Sequence, residues 1–161
     1  MYQVGDNIVY PMHGAGVIEA VEEKEIGGVS QKYFVITMSS KMKLMIPTGK
    51  IGLSGVRPVE DQISLKSMLN CLQFGPSDDT LPWRQRYNNN MAKLKTGHLL
   101  EGAEVVRDLM RMNKKKPLNT SERQMLQDAR KILISEVGII AGITQDEAGK
   151  LLDERLEVSS I

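Results

Sequence analysis

Reactive side chains are scarce in this chain of 161 residues. Its 1 cysteine, Cys71, cannot close an internal disulfide; it fits a reducing cytoplasm and reads as a small buried hydrophobe. The 2 histidines are His13, in a glycine-rich turn where a structural role is the simpler reading, and His98, at a helix boundary. No H-x-x-E-H or C-x-x-C spacing accompanies them, so no metal site is expected. The chain lacks a G-x-x-x-x-G-K-[ST] phosphate loop, and Gly14-Ala15-Gly16 does not open a helix, which excludes a dinucleotide fingerprint. Ser121, Ser135 and His98 make no nucleophile elbow. No catalytic residue, no cofactor and no enzymatic activity are therefore expected. Hydrophobic runs are short as well: no segment approaches the ~20 apolar residues that cross a bilayer, and no basic stretch followed by an apolar one marks a signal peptide. The expectation is a folded cytoplasmic protein without a membrane partner.

What is present is a strong asymmetry of charge. Apolar residues make up 41% and charged residues 25%, which suits a folded chain, and the net charge is only +1. Residues 1–70 balance at seven basic and seven acidic side chains. Residues 83–135 carry twelve basic and five acidic ones, whereas 136–161 carry two and six. A concentrated positive block of this kind points to an anionic partner; the alternative is a solvated helical surface.

The hydrophobic period changes along the chain. Ile8-Val9-Tyr10-Pro11, Val17 to Glu22, Lys32 to Met38 and Met42 to Pro47 read as short strands separated by Gly-Asp, Gly-Ala-Gly, Gly27-Gly28 and Ser39-Ser40 turns. They predict a small SH3- or Tudor-like barrel over residues 1–58. From 59 to 161 the spacing becomes helical, so the fold class is α+β, a small β-barrel followed by an all-α bundle of four or five helices. Ile63, Leu65, Met68, Leu69 and Leu72 mark a first helix over 61–74. Thr80 or Asp79 is a candidate cap for a second, Trp83 to Lys95, which Gly97 stops. Leu100, Ala103, Val106, Leu109 and Met110 give a core face to 99–113. Asn119 to Glu122 and Thr144 to Glu147 have capping-box spacing, opening a helix that runs to Gly138 and a last one through Leu156.

Two features carry a functional signal. Trp83, the single tryptophan, stands between Pro82 and the pair Arg84 and Arg86. It is a core anchor or an apolar wedge beside phosphate-binding cations, as in proteins that work in the DNA minor groove. Arg107, Arg111, Lys114, Lys115, Lys116 and Arg123 cluster at a later helix–loop–helix corner. The triple lysine is a solvated helix end or, with the free N–H groups of the following helix, a phosphate site. Such a surface binds DNA without reading sequence.

The order of these motifs resembles a known family. Val4-Gly5-Asp6-x-x-Val9-Tyr10-Pro11-x-x-Gly14-x-Gly16-Val17-Ile18, then Tyr33-Phe34-Val35-Ile36 and Met45-Ile46-Pro47, is similar to the polymerase-interacting domain of the CarD/CdnL bacterial transcription regulators, which transcription-repair coupling factors share. Pro82-Trp83-x-x-Arg86-Tyr87, Ala103 to Leu109 and Ser121 to Leu133 resemble the helical domain of the same family. The resemblance implies that the β module adds an edge strand to the RNA polymerase β subunit. Val17, Glu19, Val21, Lys24, Lys43, Met45 and Pro47 are then the polymerase-facing residues. It implies that the helical domain contacts promoter DNA non-specifically at the upstream edge of the bubble and stabilises the open complex. Trp83 would be the minor-groove wedge, and Arg84, Arg86, Lys93, Lys114, Lys115, Lys116 and Arg123 the cations around it. Met45 and Asn88-Asn89-Asn90 depart from residues that some relatives carry, an arginine at the first and a base at the second. A monomer is expected. The competing reading is an adaptor on the polymerase whose basic half binds an acidic protein.

Overall fold

Glycine turns and β-branched runs fold the first sixty residues into an antiparallel sheet in the computed structural model, which describes residues 1–158. Five strands, β1 (Asn7–Tyr10), β2 (Gly14–Ile26), β3 (Val29–Met38), β4 (Lys43–Pro47) and β5 (Arg57–Pro58), lie in the order β4-β3-β2-β1-β5. A 3-10 turn, Thr48–Leu53, leads from β4 towards β5. Ile8, Ile18, Phe34, Ile36, Met38, Ile46 and Ile51 form the core of this module.

β2 runs beyond the expected Glu22 because Gly27 and Gly28, at φ 61° and 80°, close a tight turn only after Ile26. β1 pairs with β2 only through Gly14–Val17, and β4 with β3 only through Tyr33–Thr37. The hairpin from Glu23 to Lys32 therefore projects as a two-stranded arm. An irregularity between Ile18 and Ala20 resets the alternation of β2. Val21 thereby lies across from buried Phe34, on the opposite face from Val17, which the uninterrupted sequence alternation does not predict.

Five helices follow: α1 (Gln62–Phe74), α2 (Trp83–Thr96), α3 (Leu99–Lys115), α4 (Thr120–Ala141) and α5 (Gln145–Val158). Their starts are capped by side chains where the sequence supplies them. Asp61 accepts from Ser64 N–H at 2.9 Å, Asn119 from Glu122 N–H at 2.9 Å, and Thr144 and Glu147 form a reciprocal box. α2 and α3, which follow Pro82 and His98, start without a side-chain cap. Thr80 is engaged with Asp78 instead, and Pro82 precedes α2, so neither Thr80 nor Asp79 caps it. α4 passes through Gly138 and ends at Gly142, whose φ of 67° lets Ile143 N–H reach Gly138 O at 3.0 Å. Leu72, Leu109, Leu152, Leu156 and Val137 are among the fully enclosed side chains of the helical core. Two expected core positions lie outside it: Ile63 is 76% and Leu100 45% exposed, and Leu99 and Val105 take up the inner face of α3.

A polar seam joins the sheet to the helices. Arg57 grips Glu136 with two guanidinium nitrogens at 2.7 and 2.6 Å and donates through Nε to Gly97 O at the end of α2. Glu136 also accepts from Glu60 N–H. Ala15 N–H, at the start of β2, donates to Ser135 Oγ of α4 at 2.9 Å. Buried donors and carboxylates are thus matched across the seam, which fixes α2 and α4 relative to the sheet.

Candidate functional site

The first turn of α2 holds the tryptophan and the two arginines that follow it in the sequence. Trp83 is the first residue of the helix and 44% exposed, too open for a core anchor and too covered for a freely mobile ring. The guanidinium of Arg84 stands 5.5 Å from the ring centroid, a cation–π contact that holds charge against the indole face. The proline before it fixes φ and lacks a donor, so the helix start costs no unpaired N–H at that position. An apolar blade with a cation upon it is thereby presented on a rigid element.

The remaining expected cations are not equivalent. Arg86 forms a two-pronged pair with Glu122, its side chain 16% exposed and that of Glu122 1%. This hydrogen bonding holds the Arg86 guanidinium above its ordinary range. Lys93 pairs with Glu104 at 3.1 Å, and Lys115 with Asp79 at 2.5 Å. Lys114 donates to Leu156 O, and Arg123 to Leu118 O. Arg84 and Lys116 are exposed and carry no ion pair among the described residues. The N-terminus of α4 is likewise less open than its sequence suggests, because Asn119 caps it and the Glu122 carboxylate lies buried in its first turn.

Arg107 and Arg111, four residues apart on α3, are structural instead of forming a basic surface. Arg107 is 4% exposed and donates to Cys71 O and Sγ. Arg111 reaches Gly75 O and Ser77 Oγ. Both answer the carbonyls at the C-terminal end of α1, where the helix dipole attracts cations. Burial pushes the Cys71 thiol up from its ordinary value, in keeping with a packing role.

On the sheet, β4 is an edge strand. The Met38 N–H to Met42 O bond of 2.8 Å sets the alternation of the β3–β4 ladder. It turns the backbone of Lys43, Met45 and Pro47 towards the open side. Glu19 accepts from Thr37 Oγ1 at 2.6 Å and lies 3.3 Å from Lys43, which draws its carboxyl below the usual range. Val17 and Met45 are each 38% exposed, and Lys24 lies out on the hairpin arm. The expected Val21 is exposed too, but on the other face of β2. The structure therefore brings Glu19, Lys43, Met45 and Val17 to one side of the β2–β4 region, with Pro47 at the strand end and Lys24 further along.

Comparison with known proteins bears on both halves. Residues 2–60 match the family described as the CarD-like/TRCF RID domain, and residues 67–153 the CarD C-terminal domain. A Bacillus subtilis (strain 168) protein named "Putative transcription factor YdeB" is 58% identical over 148 residues, covering 91% of this chain and 97% of that relative.

Proposed function

The chain belongs to the CarD family of transcription factors, and from that premise we propose that it docks on the RNA polymerase β subunit and stabilises the promoter open complex through non-specific contact with DNA at the upstream edge of the bubble. In this reading residues 1–58 are the docking module and 59–161 the DNA-contacting one, acting as a monomer in the cytoplasm. The observation that carries it is the exposed Trp83–Arg84 pair at the head of α2, on a helix whose other end is tied to the sheet by Arg57 and Gly97. A blade on a helix anchored in this way stays in a fixed relation to whatever the sheet holds.

The chemistry divides among the residues. The open side of β4 supplies outward N–H and C=O groups for β-augmentation, with Met45 and Val17 as apolar contacts. Trp83 is the wedge that unstacks or props a base step, at a cost recovered by phosphate contacts. Arg84 and Lys116 are the cations available to phosphates without breaking an internal pair; Lys93, Lys114, Lys115 and Arg123 are exposed or partly so and must exchange a present partner. Arg86 holds the first turn of α2 against Glu122 and so positions Trp83.

The test is capture of purified RNA polymerase by the immobilised full chain. Met45→Pro removes an outward N–H of β4 while sparing the ladder to β3. The expected result is loss of capture with an unchanged circular dichroism spectrum; undiminished capture rejects docking through this edge.

A further inference from the structure

A second, chemically different site lies along the same helix. The loop 75–81, α2 and α3 enclose a cleft of about 670 Å³, within the size range of small-molecule sites. Arg111, Lys114 and Lys115 of α3 line one side, and Arg86, Asn90 and Lys93 of α2 another. Three carboxylates share the wall, yet each already has partners: Asp108 holds Arg107 and Ser77, Asp79 holds Lys115, and Asp78 holds Thr80. Arg86, Lys93 and Lys115 are paired in turn with Glu122, Glu104 and Asp79, which leaves Arg111 and Lys114 as the lining cations with no ion pair among the described residues.

Two donors on this wall have nothing to donate to. Asn90 is 4% exposed and its Nδ2 has no hydrogen-bond partner; Arg111 Nε is buried and equally unpaired. Buried donors are costly when unsatisfied, so both call for an acceptor. Burial is also the main influence pulling the Arg111 guanidinium below its ordinary range, a cost that a neighbouring negative charge relieves. Leu81, Pro76, Met112 and Phe74, the last 72% exposed, supply apolar surface beside the polar Gln73, Ser77 and Asn89. Residues with unmet buried donors, beside cations and an apolar surface in one cleft, suit an anionic head on a flat body.

We propose that this cleft binds a phosphorylated small molecule of the nucleoside diphosphate class, its phosphates towards Arg111, Asn90 and Lys115 and its base against Leu81 and Phe74. Such a ligand bridges the loop to α2 and α3 and braces the Pro82–Trp83 start of the helix, so its occupancy would set how firmly the tryptophan is held. The cleft shares Lys93, Lys114 and Lys115 with the proposed DNA surface, so the test includes a DNA arm.

Amide NMR of the full chain during titration with ADP tests this, with sodium sulfate at matched ionic strength as the ionic control. The expected result is saturable shifts confined to 75–81, 89–93 and 111–115, absent with sulfate. Asn90→Leu and, separately, the exposed Lys115→Gln should each weaken ADP about tenfold, while Lys116→Gln, outside the cleft, leaves it unchanged. No saturable shift, equal shifts with sulfate, or unchanged affinity in both cleft variants overturns the proposal. So does a forked DNA that shifts these amides when ADP does not, which would make the cleft part of the DNA path.

Discussion

Arg86 of α2 and Glu122 of α4 face each other in a bidentate ion pair, Nε to Oε2 at 2.7 Å and Nη2 to Oε1 at 2.6 Å. Glu122 belongs to the first turn of α4, where the positive end of the helix already favours a carboxylate. The pair therefore ties the helix that begins with Trp83 to the longest helix of the bundle, and the arginine beside the tryptophan is committed inward while Arg84 remains outward.

Arg86→Ala leaves a buried carboxylate without its partner, and a loss of about 3–5 kcal/mol follows from that arrangement. Arg86→Met with Glu122→Leu removes both charges and should recover most of the loss. Urea unfolding of the two variants and the parent measures this; equal destabilisation by single and double variants would show that packing, not the unpaired charge, dominates.

The seam between sheet and helices should behave as a coupling device. Arg57→Ala strands Glu136, which is 3% exposed, and releases Gly97 O. The expected outcome is that urea transitions of the sheet and of the helices, monitored by residue-resolved amide signals, separate along the denaturant axis. A single transition merely shifted to lower urea would mean that apolar contacts alone couple the two cores.

Ser135 and Gly14 meet at the same seam. Ser135→Ala orphans the Ala15 N–H and should cost ~1–3 kcal/mol. Gly14→Ala should cost more, because the residue has φ 91° and an added Cβ would stand 2.8 Å from Ser135 Oγ. The double variant relieves the clash but not the strain, so thermal unfolding should place it above Gly14→Ala and below Ser135→Ala.

Salt dependence separates outward cations from inward ones. With polymerase and forked promoter DNA, Arg84→Gln and Lys116→Gln should each reduce the slope of log affinity against log salt by about 1. Lys115→Gln should reduce it less, since Asp79 already takes part of its charge. An affinity for polymerase that the DNA does not raise, with slopes unmoved, supports the adaptor reading.

Much of this fold was legible because local signals agreed with tertiary packing. Gly97, Asn119 and Thr144 mark helix ends in the sequence and in the structure alike. The glycine pair at 27 and 28 likewise marks its hairpin. The site was less legible. Charge counting treated Arg107 and Arg84 as alike, whereas α1 ends beside the first and solvent lies beside the second. No spacing rule reports that two arginines, each 36 residues beyond the carbonyl it meets, will return to the end of α1. The reset of β2 between Ile18 and Ala20 was invisible for the same reason: an extra residue in a strand leaves no compositional mark. Asn90 read as one of three polar residues on a helix, and only the folded chain reveals it as a buried, unpaired donor.

The central claim concerns Trp83, and the most direct measurement is the lifetime of promoter open complexes formed by purified polymerase with the wild-type chain or Trp83→Ala. The ring is 44% exposed, so the variant should keep its fold and its capture of polymerase. The account predicts that the added lifetime is lost while both of those are retained. An undiminished lifetime with Trp83→Ala would contradict it.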